Sequence, residues 1–172
     1  TQQERGSAGL TQLRQGLAGW QATGAGAHCP YQLALLAEAL GQAGQAEEGL
    51  TALGEALALV YRGGEHYYEA ELHRLRGELL LLRPAAESSV QSEVEACFRQ
   101  ALDVARRQQA KSLELRAAMS LSRLYRQQGR QAEARPLLAA TYGWFTEGFD
   151  TLDLQEAKAL LDDPSSQPAP AR

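Results

Sequence analysis

The chain has 172 residues, with Lys+Arg 17 against Asp+Glu 21 and a formal net charge of −4. Its length fits one domain or one short array of repeats. It contains 30 Ala and 28 Leu but only 4 Val and no Ile. Because β-branched residues favour strands and Ala and Leu favour helices, this composition predicts an all-α fold and excludes a sheet protein.

The charge and the apolar pattern indicate which cellular location and which classes of partner the chain has. No apolar run approaches the length of a membrane span, and no signal segment opens the sequence, so we expect a cytoplasmic location and no membrane partner. The acidic balance also argues against nucleic acid. Cys29 and Cys97 are far apart and fit no metal spacing, which predicts reduced cysteines. The chain starts at Thr1 without a Met, as expected of a fragment of a longer protein.

A pattern of alternating small and large residues recurs four times along the sequence. It closes at Leu17, Leu57, Leu102 and Tyr142, which are 40, 45 and 40 residues apart. A repeat of this length is typical of stacked helix pairs, because one pair cannot bury both of its apolar stripes by itself. The sequence therefore predicts an α-solenoid.

The predicted elements follow this period. In chain order they are a partial repeat at 7–22, helix-turn-helix repeats at about 28–62, 66–109 and 112–148, and a capping helix at 153–162. Together they form one domain, 1–162, of about three and a half repeats. Residues 163–172 contain three of the six prolines, which predicts a disordered tail or linker.

Local signals mark the ends of these helices. Gly44 and Gly129 are expected to end helices in the left-handed conformation. Ser92-x-x-Glu95 and Asp153-x-x-Glu156 have the spacing of capping boxes that start helices.

Three glycines lie inside predicted helices, where glycine costs about 1 kcal/mol relative to alanine. They are Gly49, Gly54 and Gly77. We expect each of them to allow the close approach of a neighbouring helix, and the alternative is that they are tolerated surface positions.

The third full repeat resembles the tetratricopeptide family. It contains Leu121-Ser122-Arg123-Leu124-Tyr125, then Gly129, Glu133-Ala134 and Leu138. That family pairs a helix carrying Leu-Gly/Ala-x-x-Tyr with a helix carrying Ala-x-x-x-Phe-x-x-Ala-Leu. The resemblance implies helix pairs that bind peptides or proteins without catalysis.

The stretches 68–80, 105–118 and 142–154 also resemble the C-terminal repeat region of large bacterial signalling ATPases. Members of that family carry an ATPase core behind a nucleotide-cyclase-like or DNA-binding domain. The resemblance implies a regulatory, sensor or partner-binding module. No phosphate-binding Gly-x-x-x-x-Gly-Lys-Ser/Thr segment occurs in the sequence, so no nucleotide cofactor is expected.

Two groups of residues could carry chemistry of other kinds. His66, Glu69 and His73 could share a helix face, but no fourth ligand is implied, so we expect no metal. The basic run that contains Arg106 and Lys111 fits a solvated helix end, and nucleic-acid contact is the alternative. No catalytic constellation is apparent, and the chain itself is not expected to be an enzyme.

Large aromatic residues occur near both ends of the repeat array. We expect Trp144, Phe145 and Phe149 to pack under the capping helix, with an exposed partner-binding group as the alternative. Trp20 lies in the truncated first repeat, whose partner helix is missing. Self-association through that open N-terminal end is therefore a further option.

The first helix of each repeat should line the concave side of the array, which is the candidate surface for a protein or peptide partner. The parent protein's own domains are included among such partners. The arginines of the third repeat either bind an acidic partner or pair with glutamates of the preceding repeat. A structural or oligomerisation array is the competing function. The candidate residues are Tyr31, Glu38, Gln42, Glu71, Arg74, Glu78, Arg116, Arg123 and Arg126.

Overall fold

The structure, a computed structural model, describes residues 2–22, 29–83 and 88–163. These ranges contain eight helices and no strand, so the all-α prediction is confirmed. The helices are α1 (Gln2–Ala22), α2 (Cys29–Gln42), α3 (Ala46–Gly63), α4 (Glu69–Leu81), α5 (Ser88–Arg107), α6 (Lys111–Gln127), α7 (Gln131–Tyr142) and α8 (Leu152–Asp162).

The helices pack in two layers. Each helix contacts the next one in the chain, and α2 also contacts α4, α4 contacts α6 and α6 contacts α8. In the described part of the chain, α3, α5 and α7 make no comparable contacts with one another. The even-numbered helices therefore lie side by side in one layer. We call the exposed surface of α2, α4, α6 and α8 the even-helix face.

Leucines fill the space between the two layers. Leu53 of α3 and Leu72 of α4 are fully buried in the N-terminal half, and Leu115 of α6 and Leu138 of α7 are buried in the C-terminal half. Burial of one such side chain contributes about 1.5–3 kcal/mol. Leu50 packs against the clusters of both halves and joins them.

Left-handed residues close the turns between helices, as predicted for two of them. Gly44 has φ +77° and Gly129 has φ +74°. In each turn the next residue donates its amide to a carbonyl five residues back, as in Gln45 N to Leu40 O at 2.8 Å. Gln109 takes the same position after α5 with φ 55°, although it is not glycine.

Both predicted capping boxes are wrong. Helix α5 starts four residues before Ser92, so Ser92 and Glu95 lie inside it. Helix α8 starts after Thr151, whose hydroxyl donates to the Gly148 carbonyl rather than accepting from the helix. The Asp153 carboxylate accepts a hydrogen bond from α6 instead.

The prediction for the helix-interior glycines is confirmed at two positions and wrong at the third. A Cβ at Gly77 would lie 2.4 Å from the Phe98 ring, and one at Gly49 would lie 2.8 Å from the Leu79 side chain. A Cβ at Gly54 would meet nothing within 4 Å. Close packing therefore explains Gly49 and Gly77 only.

The aromatic residues before α8 divide into buried and exposed members. Phe145 packs against the C-terminal core, as predicted, and α8 covers the core with Leu154. Trp144 is 58% exposed and Phe149 is 47% exposed, so the prediction that they pack under α8 is wrong. The side chain of Trp20 and the tail at 164–172 lie outside the described residues.

Candidate protein-interaction surface

All nine candidate residues of the sequence analysis lie on three even-numbered helices. The helix α2 carries the first three, α4 the next three and α6 the last three. Contacts across helix boundaries tie α4, α6 and α8 together on this face. The even-helix face is therefore built from the parallel arrangement of the helices rather than from any single element.

Glu71 is the centre of the contacts between α4 and α6. Its side chain is 3% exposed and accepts two hydrogen bonds from Arg74, at 2.9 and 2.8 Å, and one from Arg116 at 3.2 Å. Glu78 accepts from Arg74 at 3.3 Å and from the Ser120 hydroxyl at 2.6 Å. A buried carboxylate needs such partners, because an unpaired one is strongly destabilising.

The arginines of α6 reach towards the capping helix as well. Arg116 Nε donates to Asp153 at 2.8 Å, and Arg123 donates to Glu156 at 2.9 Å. Arg126 pairs with Asp163 just after α8. The sequence analysis assigned Asp153 and Glu156 to a capping box and Asp163 to the tail, so it predicted none of these three contacts.

These ion pairs change the balance between the two interpretations of the arginines. Arg116 lies between the carboxylates of Glu71 and Asp153. Partial burial acts to lower the pKa of Arg116. The two carboxylates outweigh burial, so this pKa is raised. All three α6 arginines thus have partners within the array. An acidic ligand would have to displace a carboxylate that is already in place.

Three tyrosines lie at the N-terminal end of the same face. The rings of Tyr31 on α2 and Tyr68 before α4 have centroids 5.0 Å apart at 79°, and Tyr67 lies 6.1 Å from Tyr68. Burial, followed by the charge of Glu71, raises the pKa of Tyr68 to about 12. Sequence reasoning found Tyr31 and missed the other two, although their position just before a first helix was a usable signal.

The histidine group lies at the junction of α3 and α4. His66 Nδ1 lies 2.8 Å from a Glu69 oxygen, and the His73 Nε2 atom lies 3.9 Å from the other. The Tyr61 hydroxyl lies 3.4 Å from the same His73 nitrogen. In the part of the chain that the structure describes, no group of three or more His, Cys, Asp or Glu side chains could hold a metal ion.

The basic run between α5 and α6 is engaged with one carboxylate. Arg106 donates to Glu114 at 3.0 Å and Lys111 donates to it at 2.7 Å. Burial acts to raise the pKa of Glu114, but these two cations outweigh it and lower that pKa. Lys111 also lies 5.5 Å from the centre of the Trp144 ring.

Comparisons with protein-family models, with curated proteins and with solved structures find no match to this chain. Among the described helices, none is both long and apolar enough to cross a membrane.

Proposed function

We propose that this chain is a non-catalytic module that binds a protein or peptide on the even-helix face. The observation that carries the proposal is the two-layer packing, in which α2, α4, α6 and α8 lie side by side in one layer. In helical repeat arrays each repeat contacts only its neighbours. The stacked repeats therefore form an extended face, which such proteins use for binding.

The N-terminal half of this face offers the accessible groups. Tyr31, Glu38 and Gln42 on α2 are exposed, and Tyr67 is 49% exposed. The C-terminal half instead consists of arginines paired with α8. We therefore assign binding to α2 and α4 and assign the α6 arginines to holding the capping helix.

The module is proposed to serve a regulatory role within a larger bacterial signalling protein in the cytoplasm. This part of the proposal rests on the resemblance to the tetratricopeptide repeats of signalling ATPases. The partner is then a peptide, a separate protein or another domain of the parent chain.

Selection from a displayed random peptide library on the immobilised chain, followed by fluorescence anisotropy with each selected peptide, tests the proposal. Amide hydrogen exchange of the complex then maps the contact. We expect added protection in α2 and α4 and little change in α3 and α5. Failure to select any saturable ligand, or protection confined to the odd-numbered helices, would contradict the proposal.

A structural or oligomerisation array is the second candidate, and α1 favours it. Leu13 is 37% exposed on this helix, although Leu10, about one turn before it, is buried against Leu36 and Leu40 of α2. A second copy could cover the exposed side of α1. Sedimentation across a range of concentrations, with Leu13→Glu as the variant, separates this function from peptide binding, because only self-association would be lost.

A further inference from the structure

The three tyrosines at the N-terminal end of the even-helix face form one connected aromatic group. Tyr68 lies between the other two, and its ring meets Tyr31 nearly at a right angle, 79°, and Tyr67 at 51°. Tyr31 is 38% exposed and Tyr67 is 49% exposed, so parts of two rings are open to a ligand. We call Tyr31, Tyr67 and Tyr68 the tyrosine cluster.

The charge around the tyrosine cluster is negative. Residues 29–83 contain eight glutamates and four arginines, a net charge of −4 that equals the net charge of the whole chain. Glu38, exposed on α2, and Glu71 are both close enough to raise the pKa of the Tyr68 hydroxyl. Arg116, a cation that acts on the Tyr68 hydroxyl, is bound by Glu71 and Asp153.

We propose that the tyrosine cluster binds a lysine or arginine side chain of a basic peptide segment. The inference rests on the proposed function and names the partner class of that same face. The electron-rich face of an aromatic ring attracts a cation within about 6 Å of its centre. The surrounding negative charge would draw the same partner towards the surface.

A contact between a cation and a tyrosine ring is present elsewhere in the chain. The Arg130 guanidinium carbon lies 4.0 Å from the centre of the Tyr125 ring, and Glu95 accepts hydrogen bonds from both residues. That site combines a tyrosine ring, a glutamate and an arginine. The tyrosine cluster and Glu38 supply the ring and the carboxylate, and the peptide would supply the cation.

The experiment titrates the full chain into a short fluorescein-labelled peptide of lysine, arginine, glycine and serine, at low and at moderate salt. A second labelled peptide has glutamine at every basic position. Tyr31→Leu removes the π system and keeps an apolar side chain, while Tyr31→Phe keeps the ring. We expect Tyr31→Leu to weaken binding of the basic peptide about threefold and Tyr31→Phe to retain most of it.

Two matched charge variants distinguish binding at the tyrosine cluster from attraction by the overall negative charge of the segment. Glu38→Gln and Glu55→Gln each remove one negative charge from the same segment, and both side chains are exposed. Glu38 lies on the same face of α2 as Tyr31, seven residues further along, whereas Glu55 lies in the other helix layer on α3. We expect Glu38→Gln to weaken binding more than Glu55→Gln.

Equal weakening by the two glutamate variants, with no effect of Tyr31→Leu, would overturn the proposal in favour of diffuse attraction. Equal affinity for the basic peptide and its glutamine counterpart would overturn it as well, and so would the absence of any binding of the basic peptide. The proposed function would survive each of these results if library selection yields a ligand of another chemistry that protects α2 and α4. It would fail separately if selection yields none.

Discussion

Replacing Gly77 with alanine should destabilise the protein, although alanine is the better helix former. Gly77 lies inside α4, and a Cβ there would be 2.4 Å from Cε1 and 2.7 Å from Cδ1 of Phe98. The Phe98 side chain is fully buried in the C-terminal core. The ring therefore has to move within close-packed surroundings to make room.

The size of the effect follows from two opposing contributions. Alanine in place of glycine inside a helix gains about 0.5–1 kcal/mol, whereas an extra carbon in a packed core costs about 1–3 kcal/mol. Two ring atoms would overlap the new Cβ and the ring is fully buried, so we take the upper half of that cost. The net result for Gly77→Ala is a loss of about 1–2.5 kcal/mol in the free energy of unfolding.

Gly54→Ala is the matched control. Gly54 also lies inside a helix, α3, but nothing lies within 4 Å of its added Cβ. The helix contribution alone should then raise the free energy of unfolding by about 0.5–1 kcal/mol. The two glycine variants should differ by about 2–3 kcal/mol.

Urea denaturation followed by far-UV circular dichroism measures both variants. Repeating Gly77→Ala in a Phe98→Leu background tests the cause, because the smaller side chain should relieve most of the overlap. The reasoning is refuted if Gly77→Ala is as stable as the parent chain. It is also refuted if the cost is the same in both backgrounds.

Three further predictions concern stability, pH and nucleotide. Phe145→Ala should cost about 2 kcal/mol in the free energy of unfolding, because the Phe145 ring is partly buried. Trp144→Ala should cost less than about 1 kcal/mol, because the Trp144 ring is mostly exposed. Equal urea midpoints for the two variants would contradict this. Burial lowers the pKa of His73, and Glu69 only partly opposes it, so the unfolded chain binds more protons. Stability should be complete above about pH 6.5 and fall on acidification, and urea midpoints should show a flatter pH dependence in His73→Gln. An unchanged pH dependence in His73→Gln would contradict this reasoning. The purified chain should neither hydrolyse ATP nor bind it at micromolar concentration, and turnover or saturable binding in calorimetry would contradict that.

The helix pairs could be predicted from the sequence because their signals are local. Gly44 and Gly129 end helices since glycine adopts positive φ without strain, and the structure has both in that conformation. The predicted repeats begin at about 28, 66 and 112, and α2, α4 and α6 begin at Cys29, Glu69 and Lys111. The capping boxes failed for the opposite reason: Asp153 can cap a helix or bind an arginine, and only its neighbours decide.

Contacts between helices could not be read from periodicity. A heptad-like spacing shows that Arg116 and Arg123 share a face of α6, but it does not state which helices lie on either side. Tertiary packing brings α8 beside α6, so Asp153 and Glu156 become the partners of these arginines. It also brings Tyr31 of α2 against Tyr68, which lies just before α4.

Composition and repeat spacing by themselves determined that this chain forms paired helices, because helix propensity and apolar periodicity act over a few neighbouring residues. The tertiary structure alone decided which glycines allow close packing, since an added Cβ would meet Phe98 at Gly77 but no atom within 4 Å at Gly54. It likewise decided that the α6 arginines are paired and that the rings of Tyr31 and Tyr67 are partly exposed. Burial and partner choice depend on distances between residues remote in sequence, and those distances exist only once the layers have packed.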